Sequence, residues 1–341
     1  MDETRTPGAD SAMPEAEDRA FNAMLFHTGQ DSREIAHVDQ ALAIDPNADQ
    51  LLWIDLQSPS QSELAHLAQA LSLPAAAITG FLGSDTNPTL ETCGPCFRMR
   101  VVGVAESASP NFTGTVLTLI AGKNLVVTLH HAPVPFLNTF REGRASRSAV
   151  GTLGSGSFVA ALLEWHLGTY FEAVARFEGA VERLEVEVLS SNPRNCLQEL
   201  RDLRKGASRL RRMLAPHRIV FTALSRPDFR PEEDEVTARH FRVLDTHYER
   251  AMDMVESARD LVVGSFELFS SQTALSANQT MKVLTFVTVV VGALAVVGGI
   301  LGMNFEAPFF KTGVIGFTVA VVLMLVLAAT SIFWGKRRGW F

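Results

Sequence analysis

Two rows of mostly polar or very small side chains recur with a seven-residue spacing near the C-terminal end of the chain. One row contains Asp260, Glu267, Met281, Thr288 and Ala295. The neighbouring row contains Asn278, Thr285, Gly292 and Gly299. Because seven residues make almost two helical turns, both rows lie on one face of a helix. A face that changes from acidic to polar to small could line a path for hydrated cations.

Two interpretations of this face remain open. In the first, Gly292, Ala295 and Gly299 let two membrane helices approach each other closely. In the second, several copies of the helix surround an aqueous axis. The second interpretation also explains why Asn278 and Glu267 continue the rows before the apolar segment begins. We therefore predict a pore.

Two uncharged apolar segments must position this face. Residues 283–301 and 312–335 each have about the 20 residues needed to cross a ~30 Å hydrocarbon layer as a helix. A pair of helices buried in a soluble core is the alternative, but such helices usually carry a charged stripe. We predict a transmembrane hairpin over 282–341 with the loop 302–311.

The flanking charges predict the orientation of the hairpin. Lys336, Arg337 and Arg338 directly follow the second segment, so the positive-inside rule places the C-terminus in the cytoplasm. Two crossings then place the N-terminus in the cytoplasm as well. Residues 1–19 are polar, and we predict that they are disordered and contain no cleaved signal.

The charge distribution separates the hairpin from the rest of the chain. The net charge of the 341 residues is −7, but residues 282–341 contain five basic residues and one acidic residue, so the preceding part carries −11. An acidic body of this kind disfavours nucleic acid as a partner. No phosphate-binding loop, nucleophile elbow or metalloprotease spacing occurs, so we predict neither an enzyme nor a cofactor.

The acidic body has the pattern of an α/β unit followed by helices. We predict an α/β domain over 20–155 and a helical domain with a stalk over 156–281. Alternating apolar residues predict strands at 21–26, 51–56, 97–104, 116–120 and 125–129. Spacings of three and four predict helices at 158–189, 193–214 and, without interruption, about 232–301.

Two other groups could carry chemistry. Cys93-Gly94-Pro95-Cys96 has the spelling of a redox tetrapeptide. An alternating strand pattern follows it rather than a helix, so we predict a turn. His240 and His247 lie seven residues apart on the stalk, where they could meet a soft divalent ion or simply be solvated.

The loop between the two spans opens with Gly302-Met303-Asn304. This tripeptide, at the outer end of the first of two C-terminal spans, resembles the CorA family of divalent-cation channels. The runs 278–285 and 336–340 are also similar to that family. The similarity covers most of residues 20–341 and is most specific over about the last 65.

The resemblance implies a homopentamer in the lipid membrane, with a cytoplasmic funnel and five first-span helices around the pore. It implies that Gly302, Met303 and Asn304 form the outer mouth, where Gly302 would turn backbone carbonyls toward the axis and Glu306 is the only loop acid. Neutral amide oxygens suit Mg²⁺, which dehydrates reluctantly and is recognised through its water shell.

The resemblance, the two seven-residue rows and the terminal charges together assign the remaining positions of the pathway. The hydrophobic constriction falls on Met281 and Leu284, and Thr288 lies above it. The pore lining is Asn278, Met281, Leu284, Thr288, Gly292, Ala295 and Gly299. Asp260 and Glu267 line the vestibule, and the three terminal cations form a basic collar around the inner pore neck.

The chain departs from the family at one stalk position. Val243 stands where an acidic Mg²⁺-sensing residue is common, so Asp245 or His247 could hold a regulatory metal instead. The principal prediction is potential-driven uptake of Mg²⁺, Co²⁺ or Ni²⁺ across the inner membrane. A Zn²⁺ transporter like ZntB, with possible proton coupling, is the alternative. A non-conducting two-span scaffold is the second alternative.

Overall fold

The computed structural model describes residues 21–27, 32–46, 49–79, 81, 86–105, 110–141, 154–189, 196–229, 235–303 and 313–338. These residues belong to two compact units. The first lies within Met1–Leu184 and Asn195–Val263, and the second lies within Glu185–Arg194 and Gly264–Phe341. The domain boundaries drawn from the sequence at residues 155 and 281 remain predictions.

A mixed sheet forms the centre of the first unit. Its strands are β1 (Phe21–His27), β2 (Arg33–Ile35), β3 (Gln50–Gln57), β4 (Thr89–Cys93), β5 (Cys96–Ala105), β6 (Thr113–Gly122) and β7 (Leu125–His130). They are ordered β2-β1-β3-β7-β6-β5-β4. The β3–β7 pair is parallel and the other neighbouring pairs are antiparallel.

Helices cover the sheet and form the second unit. They are α1 (Val38–Leu42), α2 (Gln61–Ala70), α3 (Ala75–Thr79), α4 (Pro135–Arg141), α5 (Ser155–Leu189), α6 (Cys196–Leu214), α7 (Arg218–Leu224), α8 (Glu235–Leu301) and α9 (Gly313–Arg337). The α/β unit followed by long helices confirms the predicted fold class. The five predicted strands and three long helices are all present, within a few residues of their predicted bounds.

The period-two pattern of β3 explains how the sheet is covered on both faces. Leu52 and Ile54 belong to a core cluster with residues of α2 and α3. Trp53 points to the other face, where its ring lies 5.6 Å from that of Phe158 at the start of α5. Both faces are therefore apolar, and the central strands are almost completely buried.

The tetrapeptide between β4 and β5 is a hairpin turn, which confirms the prediction from the sequence. Cys93 and Cys96 face each other in the register of the two strands, and both are buried free thiols. Gly94 has a φ of +65°, which a residue with a Cβ rarely adopts, so this glycine makes the tight turn possible. No helix follows the first thiol, so the redox interpretation does not apply.

The first part of α8 packs through one apolar stripe with spacings of three and four. Its buried members are Phe241, Leu244, Tyr248, Ala251, Met252, Val255, Ala258 and Val262. Polar contacts between helices accompany the stripe. The Tyr248 hydroxyl donates to the Ala215 carbonyl at 3.2 Å, and the Ser157 and Thr237 hydroxyls are 2.8 Å apart. The helix is thereby held on one side only.

Four side chains form hydrogen bonds with the backbone of β5 beyond the point where β4 pairs with it. The register of β4 ends at Arg100 of β5. At Val102, the backbone N–H donates to His217 Nε2 at 2.9 Å, and the carbonyl accepts from His166 Nε2 at 2.9 Å and from the Tyr170 hydroxyl at 2.6 Å. The Val104 N–H donates to the Thr169 hydroxyl at 3.1 Å.

The hydrogen bonds require an uncharged His217, and burial favours the uncharged form of His166. His217 Nδ1 donates to the Leu214 carbonyl at 3.1 Å, so its Nε2 is free to accept the N–H of Val102. Burial lowers the pKa of His166 to about 4. Burial, and then the neighbouring His166, lowers the pKa of His217 to about 3. Protonation of His217 would place two N–H donors against each other.

Candidate ion pathway

The predicted pore-lining residues all lie in the part of α8 that belongs to the second unit. They share one property, which is that each is exposed in the single chain: Asn278, Met281, Leu284, Thr288, Gly292, Ala295 and Gly299. A Cβ added at Gly292 or Gly299 would meet no atom within 4 Å. The face that the sequence identified is therefore an open surface of the folded chain.

A second stripe on the same stretch of α8 is partly covered. Its members are Phe286, Val290, Leu294, Val297 and Leu301. At about 100° per residue, the middle of this stripe lies about 180° around the helix from the middle of the pore-lining set. The covered side and the open side of α8 are thus opposite each other.

The second span, α9, has a matching stripe of mostly small residues. Its partly or fully covered members include Gly316, Ala320, Met324, Ala328, Ser331 and Gly335, which follow one another at spacings of three or four. Small residues of this kind let two membrane helices pack closely. Both helices therefore have one partly covered side, and on α8 this side lies opposite the exposed face of the predicted pore residues.

Hydroxyl groups on the open face are already oriented by the helix. The Thr288 hydroxyl donates to the Leu284 carbonyl at 2.8 Å, and the Thr285 hydroxyl donates to the Met281 carbonyl at 2.8 Å. Each hydroxyl proton is therefore used within the helix, and the oxygen keeps lone pairs for an outside donor. Water molecules bound to a cation are such donors.

Two large apolar side chains interrupt the polar face near its start. Met281 is 66% exposed and Leu284 is 64% exposed. Side chains of this size on a face that is otherwise small or polar would narrow any lumen between copies of α8. A narrow apolar ring can block ions because water leaves it.

The end of α8 shows only part of the predicted pore mouth. The N–H of Gly302 donates to the Gly298 carbonyl at 3.0 Å, and the N–H of Met303 donates to the Ile300 carbonyl at 3.2 Å. Gly302 directly follows α8, and these two hydrogen bonds form the turn that ends the helix. Its role in turning backbone carbonyls toward an axis remains a prediction. Asn304 and Glu306 lie outside the described residues.

The predicted vestibule residues face away from the packed side of α8. Asp260 and Glu267 are exposed, whereas Val262 and Ser265 are buried. The hydroxyl of Ser265 donates to Glu185 of α5 at 2.6 Å, which identifies the packed side at this level. Two carboxylates on the open side would attract cations to the approach of a pore.

The structure does not bring Asp245 and His247 together. Asp245 and His247 are two positions apart on α8, so their side chains project about 200° apart around the helix. They also contact different neighbours. His247 Nδ1 lies 2.7 Å from Glu164 Oε1, whereas Asp245 Oδ2 accepts from the Ser225 hydroxyl at 3.4 Å. Over the described ranges, no three His, Cys, Asp or Glu side chains form a metal-binding group. A regulatory metal site here remains a prediction.

The basic residues predicted to form the collar are exposed at the end of α9. Lys336, Arg337 and Arg338 all reach solvent, and the Arg338 guanidinium lies 4.2 Å from the centre of the Trp334 ring. An aromatic ring beside a cation is typical of a helix end at a membrane–water interface. Their role at the pore neck remains a prediction.

Sequence reasoning missed a buried polar cluster at the C-terminal ends of β3 and β7. Asp55 accepts a hydrogen bond from the Thr128 hydroxyl at 2.5 Å and lies 3.2 Å from His130 Nε2 and 3.5 Å from Arg141 Nη2. The only signal for it was one acid within an apolar strand. The cluster ties both strands to α4 and lies within the first unit, so we assign it no part in the pathway.

Comparison with known proteins identifies the family. The family described as CorA-like Mg²⁺ transporter protein matches residues 48–337. The chain belongs to the CorA family. This CorA-family chain is thus a membrane transporter of divalent cations and not an enzyme. By length and composition, α8 and α9 are each able to cross a membrane.

Individual relatives agree with the family. The cobalt/magnesium transport protein CorA of Thermotoga maritima is 27% identical over 225 residues, which cover 66% of this chain and 64% of that protein. The zinc transport protein ZntB of Yersinia pseudotuberculosis is 21% identical over 306 residues, which cover 88% of this chain and 91% of that protein.

A solved structure confirms the fold of this CorA-family chain. The complete structure of the CorA magnesium transporter from Methanocaldococcus jannaschii matches it with a TM-score of 0.72 at 21% identity. The match covers 94% of this chain and 98% of the other. The predicted architecture of an α/β domain, a long helix and two apolar C-terminal helices is therefore confirmed.

Proposed function

We propose that five copies of this chain form a channel in the inner membrane that admits Mg²⁺, and also Co²⁺ and Ni²⁺, to the cytoplasm. Both termini of each copy lie in the cytoplasm. One observation carries the proposal: the small and polar face of α8 is exposed and lies opposite the partly covered stripe of the same helix. A helix face in contact with lipid usually presents large apolar side chains, which pack well against acyl chains. This face presents glycines and hydroxyl groups instead. Around a shared axis the same face meets water.

The ion chemistry of this lining suits a hydrated divalent cation. Mg²⁺ holds its water shell strongly, so a pore that requires complete dehydration would pass it slowly. The oriented oxygens of Thr285 and Thr288 can accept hydrogen bonds from that shell. In the proposal, the amide of Asn304 does the same at the mouth, repeated in each copy, and Gly302 and Met303 support it.

Met281 and Leu284 supply the gate in this proposal. Both side chains are exposed on the open face of the single chain, so five copies would bring ten apolar groups into one short segment of the lumen. Small outward movements of α8 would admit water to that segment, and inward movements would exclude it. Above the gate, Gly292, Ala295 and Gly299 leave the lumen wide.

The membrane potential provides the driving force. When the inside of the membrane is negative, inward movement of a divalent ion releases about 2.3 kcal/mol per charge for each 100 mV of membrane potential. No nucleotide is needed. The vestibule carboxylates of Asp260 and Glu267 would receive the ion on the cytoplasmic side.

Zn²⁺ transport is the second candidate function. The chain is similar to a protein named for zinc transport over 88% of its length. In addition, His247 and Glu164 place an imidazole nitrogen and a carboxylate oxygen 2.7 Å apart on the surface of the first unit. Imidazole favours Zn²⁺ over Mg²⁺, so this pair would respond to zinc more than to magnesium.

Ion flux into liposomes tests the proposal directly. The purified full-length chain is reconstituted with an entrapped Mg²⁺ indicator, and a potential is imposed with K⁺ and valinomycin. Replacing the amide ring removes hydrogen bonds to a charged hydrated ion, each worth about 1.5–3 kcal/mol, so Asn304→Ala should lower flux about tenfold or more. Asn138→Ala removes an exposed amide from α4 and serves as the matched control.

The outcomes separate the candidate functions. Equal flux for the wild type and Asn304→Ala would refute the proposed mouth, and no flux above empty liposomes would favour a non-conducting scaffold. A competition series with Mg²⁺, Co²⁺, Ni²⁺ and Zn²⁺ orders the ions. If Zn²⁺ flux dominates and responds to a pH gradient, the ZntB-like alternative is correct.

A further inference from the structure

Four cations of the second unit have no acidic partner. Lys282 of α8 and Lys336, Arg337 and Arg338 of α9 are exposed. Within the described part of the chain, none of the four forms an ion pair. The sequence offers little opportunity for one, because no acidic residue occurs between Glu267 and Glu306 or after Glu306. These charges are therefore left to solvent or to an anion outside the chain.

The lengths of the two helices predict a similar membrane depth for the four cations. At 1.5 Å per residue, α8 rises about 28 Å from Lys282 to Leu301, and α9 rises about 34 Å from Gly313 to Lys336. The two helices run in opposite directions through a layer that is ~30 Å thick. Both groups of cations consequently reach the cytoplasmic interface, where the phosphates of lipid headgroups lie.

The four cations differ in their distance from the predicted pore lining. Lys282 directly follows Met281 and lies four residues after Asn278, so it stands at the margin of the pore face, about 100° and about 40° around α8 from these two residues. Lys336, Arg337 and Arg338 belong to the other helix of the hairpin. Trp334 is 61% exposed, and the Arg338 guanidinium lies 4.2 Å from the centre of its ring.

We propose that Lys282, Arg337 and Arg338, with Lys336 beside them, bind the headgroup of an anionic phospholipid. This inference rests on the proposed function, because that function determines which face of α8 lines the lumen. A phosphate held between the end of α9 and Lys282 also couples the bilayer to the gate, since Lys282 lies between Met281 and Leu284 in the sequence. Anionic lipid would then control how readily the gate opens.

Spin-labelled lipids test the binding without requiring conduction. The full-length chain is reconstituted in phosphatidylcholine with a trace of spin-labelled phosphatidylglycerol or phosphatidylcholine, and the motionally restricted fraction is measured. Each cation near an anionic headgroup is worth about fivefold in binding, so the wild type should clearly prefer phosphatidylglycerol. The variant Lys282→Gln/Arg337→Gln/Arg338→Gln should lose this preference.

Two variants control for charge and for folding. Arg201→Gln/Arg204→Gln/Arg209→Gln removes the same charge from the exposed face of α6 and should keep the preference. Arg337→Lys/Arg338→Lys keeps the charge at the interface and should also keep it. If the triple variant at the interface retains the wild-type preference, the proposal is wrong.

Two further measurements distinguish the source of the phosphate and the role in gating. If excess inorganic phosphate displaces the labelled lipid, the site binds a soluble anion and the lipid assignment is overturned. Flux in pure phosphatidylcholine and in mixtures with phosphatidylglycerol should differ severalfold for the wild type and not for the triple variant. If flux is absent but the lipid preference persists, the pore proposal fails and the lipid site stands.

Discussion

Acid should weaken the first unit through His166 and His217. The pKa of each imidazole in the folded chain, about 4 and about 3, lies below the usual value of 6.5. Between pH 6.5 and pH 4 the unfolded chain therefore binds protons that the folded chain excludes. The stability contributed by these groups is fully present above pH 6.5 and is lost as the pH falls toward the folded pKa values.

The loss of stability at pH 5 depends little on the folded pKa values as long as both lie below 5. Each imidazole that is protonated only in the unfolded chain lowers the free energy of unfolding by about 1.4 kcal/mol for every pH unit below 6.5. At pH 5 this amounts to about 2 kcal/mol per imidazole, or about 4 kcal/mol for His166 and His217 together. That loss is comparable to a large part of the stability of an ordinary domain.

Urea denaturation of the full-length protein in detergent at pH 7 and pH 5 measures this loss. His217→Gln keeps an oxygen acceptor for the Val102 N–H, and His166→Gln keeps an N–H donor for the Val102 carbonyl. Each substitution should reduce by about 2 kcal/mol the difference between the free energies of unfolding at pH 7 and at pH 5. His66→Gln removes an exposed imidazole as the control. An unchanged pH difference in the double variant would refute the reasoning.

Three further predictions concern single side chains. Gly292→Leu should fold normally, because a Cβ at that position meets no atom in the single chain, yet it should reduce liposome flux to background if the lumen passes this residue. Leu284→Ser should instead raise flux severalfold by wetting the constriction, and equal flux would remove Leu284 from the gate. Gly206→Ala would place its Cβ 2.6 Å from the Pro110 carbonyl oxygen and should cost about 1–3 kcal/mol in urea denaturation. Gly168→Ala, in open space on α5, should cost nothing or gain about 0.5–1 kcal/mol, and a similar loss in both variants would show that packing at Pro110 is not the cause.

The sequence predicted the long elements because their signals are local and repeated. The apolar runs that became the end of α8 and α9, and the alternating run that became β3, need no knowledge of their neighbours. Short elements gave no such signal. Strand β2 has three residues and exists through its pairing with β1, and α7 is a short helix that depends on contacts with α8.

The sequence predicts which residues of α8 share a face, but not what surrounds that face. Seven-residue spacing places Thr288 and Gly292 on one face, but only the covered stripe on the other side of α8 shows that this face is left open. The pair formed by His247 and Glu164 could not be read from the sequence, because the two residues belong to different helices. His166 and His217 were missed for the same reason.

The side chains along the last residues of β5 also have a consequence for solubility. Backbone groups at the margin of a sheet are a template on which a strand from another molecule can add. Here imidazole, phenol and hydroxyl groups occupy the hydrogen-bonding positions of Val102 and Val104, so an incoming strand would find them already taken. Substitutions that empty these positions should therefore promote self-association through β5, even where the rest of the fold survives.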